Sequence, residues 1–112
     1  MINLHGKKFS PKRNSEGGRV ASDAVFTFEQ SGNNFSAVYS GAGFSDGHLI
    51  GAFENDNTAR LIYHSRAESG ALEAGEAKAI FSRMPDGRLT IAMDWTWLNG
   101  SRASGQSFYE EI

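Results

Sequence analysis

The chain has no cysteine, only two prolines, and no apolar run approaching the length of a membrane span. Without cysteine there are no disulfides, no thiolate chemistry and no Cys-based metal sites. Small secreted domains commonly depend on disulfides, so a reducing, cytoplasmic setting is expected. Residues 1–20 hold no apolar core of a signal peptide, and no membrane partner is expected. Charge of one sign is also missing. Eleven Lys and Arg stand against thirteen Asp and Glu, a net charge of −2. That leaves no field to steer nucleic acid. The small basic group Lys7, Lys8, Lys12, Arg13 and Arg19 reads as a solvated face. The three histidines, His5, His48 and His64, lack the H-x-H and H-x₃-H spacings of metal sites. No metal and no cofactor are expected.

What the chain does have is glycine, thirteen of them, and aromatics: eight Phe, three Tyr and two Trp. At 112 residues it should form one domain, 1–112, with one modest core. The dominant pattern is alternation. Leu89, Ile91, Met93, Trp95 and Trp97 are all apolar, separated by Thr90, Ala92, Asp94 and Thr96. A strand puts such residues on one face, whereas a helix scatters them around its circumference. Phe26 and Phe28, then Phe35, Ala37 and Tyr39, then Leu61 and Tyr63 follow the same rule. Gly, Asn, Asp and Ser clusters punctuate these runs as turns. Strands are expected near 3–10, 21–31, 34–41, 44–54, 58–66, 72–83, 88–98 and 103–112, with 11–19 as the one longer loop. Short connections favour antiparallel neighbours. Eight strands in a meander close most economically into an up-and-down barrel, which abolishes exposed edges. The fold class expected is therefore an all-β, eight-stranded antiparallel barrel.

Two segments invite other readings. "AESGALEAGEAKAIF" (67–81) is rich in Ala and Glu, which favours helix, yet Gly75, Ala77, Ala79 and Phe81 alternate as in a strand. A turn at Pro85-Asp86-Gly87 would set Phe81 opposite Ile91, Ala79 opposite Met93, Ala77 opposite Trp95 and Gly75 opposite Trp97. Small residues would then face large ones, as an interior requires. Gly43-Phe44-Ser45-Asp46-Gly47 matches G-x-S-x-G, the nucleophile elbow of many hydrolases. The elbow needs a strand turning into a helix, with an acid and then a histidine downstream. Here the segment runs on as strand, and Gly41-x-Gly43-x-x-x-Gly47 misses the dinucleotide spacing with no helix to follow. Both matches read as hairpin chemistry, and no catalytic residue is assigned.

"NLHGKKF" (3–9), Tyr39-Ser40-Gly41, Gly47-x-Leu49-Ile50-Gly51, Asp86-Gly87-Arg88-Leu89, Trp95-Thr96-Trp97 and the terminal "GQSFYEEI" (105–112) occur in order. On these residues the chain resembles a family of small bacterial lipocalin-like, calycin-type β-barrels, often labelled N-acetylglutamate synthase. The resemblance implies an eight-stranded barrel over nearly the whole chain and carries no catalytic residues with it. The label would imply a Gly-rich loop opening a helix to hold the pyrophosphate of acetyl-CoA. No segment here has that form. Nor does the G-x-W of lipocalins proper occur near the start, where Lys7-Lys8 follow Gly6.

An eight-stranded barrel is either filled by side chains or holds one small ligand. Trp95, Trp97, Tyr39 and Tyr63 should face inward, and buried Tyr and Trp need partners for their O–H and N–H. A tight Asn99-Gly100 hairpin would add Ser104, Gln106, Phe108 and Glu110 to the Trp face. If Phe108 and Glu110 point outward instead, Tyr109 enters the core. The expected ligand site is Trp95, Trp97, Tyr39, Tyr63, Gln106 and Glu110, taking a small, partly apolar molecule. Two other readings stand beside it. One is an enzyme using Glu110 or Asp94 as acid or base at the barrel mouth, and the sequence leans away from it. The other is a filled barrel working through its loops. Nothing indicates oligomerisation.

Overall fold

The computed structural model describes residues 2–14, 24–41, 44–99 and 102–112. Eight strands form one closed barrel in sequence order: β1 Lys8–Asn14, β2 Val25–Ser31, β3 Asn34–Gly41, β4 Phe44–Phe53, β5 Thr58–Ala67, β6 Leu72–Arg83, β7 Leu89–Trp97 and β8 Ser104–Glu111. Every neighbouring pair is antiparallel, and β8 closes onto β1. The meander expected from the sequence is thus the fold, and 67–81 contributes strand rather than helix.

Local chemistry fixes the turns. Asp86 Oδ1 accepts from the Arg88 N–H at 3.0 Å, and Gly87 takes φ 92° between β6 and β7. Asn55 Oδ1 accepts from the N–H groups of Asn57 and Thr58 at 3.0 and 2.9 Å, turning β4 into β5. The β6–β7 register is the expected one: Phe81↔Ile91, Ala79↔Met93, Ala77↔Trp95 and Gly75↔Trp97.

Two boundaries differ from expectation. The first strand is Lys8–Asn14 rather than 3–10, so Pro11 to Asn14, expected in a loop, pair with β8. Among the described residues β1 pairs with β2 at Lys8 and Phe9, before Pro11, so the missing N–H of Pro11 removes none of these pairings. The rest of that expected loop, 15–19, and the expected start of the second strand, 21–23, lie outside the described residues. The last hairpin is also longer than a two-residue turn. Its final pair is Thr96↔Ser104, the Trp97 N–H reaches Ala103 O at 2.9 Å, and Arg102 takes φ 54°.

The core is packed most tightly at one end of the barrel. There Leu4, Phe9, Phe28, Phe81, Leu89 and Ile91 are 0–1% exposed. Leu4 plugs this end from the segment before β1. Gln30 holds it: Oε1 accepts from the Leu4 N–H at 2.7 Å, and Nε2 donates to Ile2 O and Gly32 O at 3.1 and 3.0 Å.

The terminal seam is held by Glu111. Its Oε1 accepts from the Leu89 N–H at 2.9 Å, and its Oε2 meets Lys7 Nζ at 3.1 Å. The Leu89 N–H, then Lys7, hold this carboxyl below the usual glutamate range, against the opposing effect of burial. A depressed pKa contributes stability that is present above the unfolded value and is lost as pH falls through the folded one. Glu111→Gln should therefore destabilise the protein by about 1 kcal/mol at pH 7. The difference should shrink as acid protonates Glu111 in the folded state, read from urea melts at pH 7 and at successively lower pH.

Candidate ligand-binding site

The opposite end of the barrel is built differently. The connections β1–β2, β3–β4, β5–β6 and β7–β8 leave from it. Pairing places Phe26, Tyr39, Gly47, Ser65 and Glu73 in one inward row across β2 to β6. The next row inward carries Tyr63, Gly75 and Trp97, and the one beyond it Ala77 and Trp95. Tyr39, Tyr63, Trp95, Trp97, Ser65 and Glu73 keep 5–9% exposure, against 0–1% for most of the plugged end, where only Phe53 at the rim reaches 8%.

Glycine makes this wall. A Cβ on Gly47 would lie 2.1 Å from the Tyr39 ring, and one on Gly75 would lie 2.3 Å from the Tyr63 ring. Each tyrosine therefore lies flat across a glycine of the neighbouring strand. Its hydroxyl reaches one strand further: Tyr39 donates to His64 O at 3.3 Å, and Tyr63 donates to Thr96 O at 3.4 Å. Tyr39 stacks on Phe26 with centroids 4.4 Å apart, and Tyr63 meets Trp97 edge-on at 5.1 Å. Trp95 and Trp97 lie 6.4 Å apart. The result is an aromatic lining spread along the wall.

Polar groups sit within it. Ser65 pairs directly with Glu73 across β5 and β6, and both are buried. Ser65 Oγ is buried next to the Tyr39 hydroxyl. On β8, Ser107 Oγ donates to Tyr109 Oη at 2.8 Å. Burial, the largest influence, raises the pKa of all three tyrosines, with Tyr109 reaching about 12. Tyr39 and Tyr109 both meet the Phe26 ring, with centroids 4.4 and 5.2 Å away. The site can offer a flat apolar wall, a hydroxyl with spare hydrogen-bonding capacity and a carboxyl.

Four of the expected residues, Trp95, Trp97, Tyr39 and Tyr63, come together inside the barrel. Gln106 and Glu110 do not, which corrects the orientation expected for them. The longer β7–β8 connection shifts the parity of β8. Gly105, Ser107 and Tyr109 face in, while Gln106 turns out and bonds Asp94 at 2.9 Å. Glu110 pairs with Thr90 on the outer face. Asp94 is exposed on the outer wall as well, so neither carboxylate suggested for acid–base work stands in the mouth. Ser65, Glu73 and Ser107 were not expected at the site, while Tyr109 enters the core as the alternative orientation of β8 required. The alternation Gly75, Ala77, Ala79, Phe81 carried back one step reaches Glu73, and Leu61, Tyr63 carried forward reaches Ser65. That signal was in the sequence.

Ser45, the second residue of β4, is exposed and its hydroxyl donates at 3.2 Å to Asp46 Oδ1 and to Arg66 O. It is a strand-edge residue with no histidine bonded to it. Ser45→Ala should leave ligand affinity within twofold and stability within about 0.5 kcal/mol, read by titration and thermal melting. Residues 42 and 43 of that motif lie outside the described residues.

A closed eight-stranded meander with an aromatic end of this kind is a calycin-type β-barrel. Comparison with known families is specific: the avidin-like protein family matches residues 2–112, and the chain belongs to that family. No curated protein matches the chain. No solved structure matches it either.

Proposed function

We propose that the protein binds a small, partly apolar molecule at the Trp-lined end of its barrel, with the polar part of the ligand against Ser65 and Glu73. The observation that carries this reading is the Ser65 hydroxyl. It is buried next to the Tyr39 hydroxyl, stands beside Glu73 across β5 and β6, and faces into an aromatic enclosure. A hydroxyl with one partner keeps spare hydrogen-bonding capacity, which a ligand donor or acceptor can take. Membership of the avidin-like family supports small-molecule binding at a barrel of this type. The carboxyl of Glu73 beside the hydroxyls favours a ligand carrying N–H groups on an apolar ring or chain.

The chain has only two tryptophans, and both line this site, so intrinsic emission reports on it alone. Titration with N–H-bearing heterocycles and metabolite fractions should shift or quench that emission. A ligand at a hundred times its Kd should raise stability by about 2.7 kcal/mol, roughly 10 °C in Tm. Glu73→Gln and Trp97→Leu should each weaken binding about tenfold or more. Emission unmoved by every compound, with an interior packed solid in a crystal structure, would exclude the reading.

A further inference from the structure

The histidine spacings along the chain give no sign of a metal site, but strand pairing joins residues that sequence spacing keeps apart. His48 of β4 and His64 of β5 are direct partners in the β4–β5 register. Their neighbours Leu49 and Tyr63 are buried in the barrel, so alternation puts both histidines on the outer wall. His48 is half-buried and His64 exposed. His48 Nδ1 lies 3.3 Å from His64 Nε2, and the ring centroids are 5.3 Å apart at an interplanar angle of 64°. The surroundings are mild. Val38 stands beside His48 and Ala74 beside His64. Along the strands, Ile50 and Ile62 follow on one side and Asp46 and Arg66 on the other. Asp46 and Arg66 offset each other at 3.8 Å, so the charge bordering the pair is balanced. The pair lines an outer depression of about 860 Å³, with Val25, Val38 and Leu72 as apolar walls.

We propose that His48 Nδ1 and His64 Nε2 chelate one zinc ion on the outer wall of the barrel. The distance is what points to zinc. Two nitrogens each about 2.0–2.1 Å from a tetrahedral ion stand about 3.3–3.4 Å apart, whereas a right-angled site brings them to about 2.8–3.0 Å. The observed 3.3 Å fits the tetrahedral case. In the metal-free pair one ring donates its N–H to the other, so a single proton lies between the two nitrogens. Zinc takes the place of that proton. The donor ring shifts its proton to its other nitrogen, and each ring turns about its soft χ2 torsion until both lone pairs meet at the ion. Two side chains leave two of four positions to water, which makes the site open rather than structural. The site lies outside the barrel, so this inference is independent of what the interior holds.

Calorimetric titration of zinc chloride into the full chain near pH 8, where free imidazole is neutral, should give one zinc per chain. His48→Gln and His64→Gln should each weaken binding at least about tenfold, because losing either ring turns a chelate into a single contact. Both substitutions fall on the outer wall, and an unchanged thermal melt separates a lost ligand from a lost fold. His5 serves as the internal reference. It precedes β1, and its Nδ1 accepts from the Gln30 N–H at 3.2 Å. In NMR spectra of the wild-type chain, zinc should move the ring signals of His48 and His64 and leave those of His5 in place. Should a variant lose stability, these wild-type signals decide alone. Zinc binding no tighter than about 1 mM overturns the proposal. So does binding that survives both substitutions, or zinc that moves the His5 signals as far as the other two.

Discussion

Replacing Gly47 by alanine is expected to destabilise the protein by about 2–4 kcal/mol, and Gly75 by alanine about as much. A single methyl group is the whole change. At Gly47 it would stand 2.1 Å from Tyr39 Cε2 and 2.4 Å from Cζ. The ring cannot move aside cheaply. Phe26 stacks on it at 4.4 Å, and its hydroxyl is bonded to His64 O on the far side of β4. At Gly75 the methyl would lie 2.3 Å from Tyr63 Cζ, in a ring pinned by Trp97 at 5.1 Å. In a domain of this size the loss should lower Tm by roughly 10–20 °C. Gly32→Ala is the control, since its φ of 61° is strained but nothing lies within 4 Å of the added carbon. That strain costs only about 1 kcal/mol. The decisive measurement is a double-mutant cycle by urea denaturation. With Tyr39→Ala already present, Gly47→Ala should cost little more than a propensity change, giving a coupling of about 2 kcal/mol. If both glycine substitutions are as mild as Gly32→Ala, the rings do not lie where the structure puts them. Because these rings form the wall of the proposed site, the same variants should also weaken any ligand that moves the tryptophan emission.

Parity explains which parts of this architecture were legible in the sequence. Where a strand was anchored by a turn of known chemistry, as at Asp86-Gly87, alternation on both sides fixed partners as well as faces. Phe81↔Ile91 and Gly75↔Trp97 followed directly. Where the connection was longer than a two-residue turn, parity was lost across it. The run "SFYEE" (107–111) has an aromatic in each phase, Phe108 and Tyr109, so hydrophobicity could not choose between them. The seam residue Pro11 read as loop because proline rarely sits in a paired strand, and its pairing with Tyr109 of β8 joins the two ends of the chain, which local pattern does not show. Glu73 was passed over for its charge rather than its position. Residue type says surface, while its place in the alternation says interior, and position prevailed because Ser65 stands beside it.

The three tyrosines are the only ones in the chain, and all point into the barrel, so alkali should act on them as a group. Burial raises each pKa above the unfolded value near 10. For a group with a raised folded pKa, the stabilisation is fully present below the unfolded pKa and is lost as pH climbs toward the folded one. Each tyrosine then withdraws about 1.4 kcal/mol per pH unit above 10, and the three together about 4. A domain near the low end of the usual range, about 5–8 kcal/mol, should survive pH 10.5 and unfold between about pH 11 and 12. The tyrosinate absorbance should stay flat through pH 10.5, where free tyrosine is already mostly ionised. It should then rise in one steep step for all three residues, together with the loss of β-sheet circular dichroism. Removing one group should blunt the step: Tyr63→Phe keeps the ring against Trp97, gives up only the long 3.4 Å bond to Thr96 O, and should move the midpoint upward. A tyrosine that ionises near pH 10 while the fold remains intact would mean that its hydroxyl reaches bulk water. The enclosed aromatic wall, and the ligand site built on it, would then have to be abandoned.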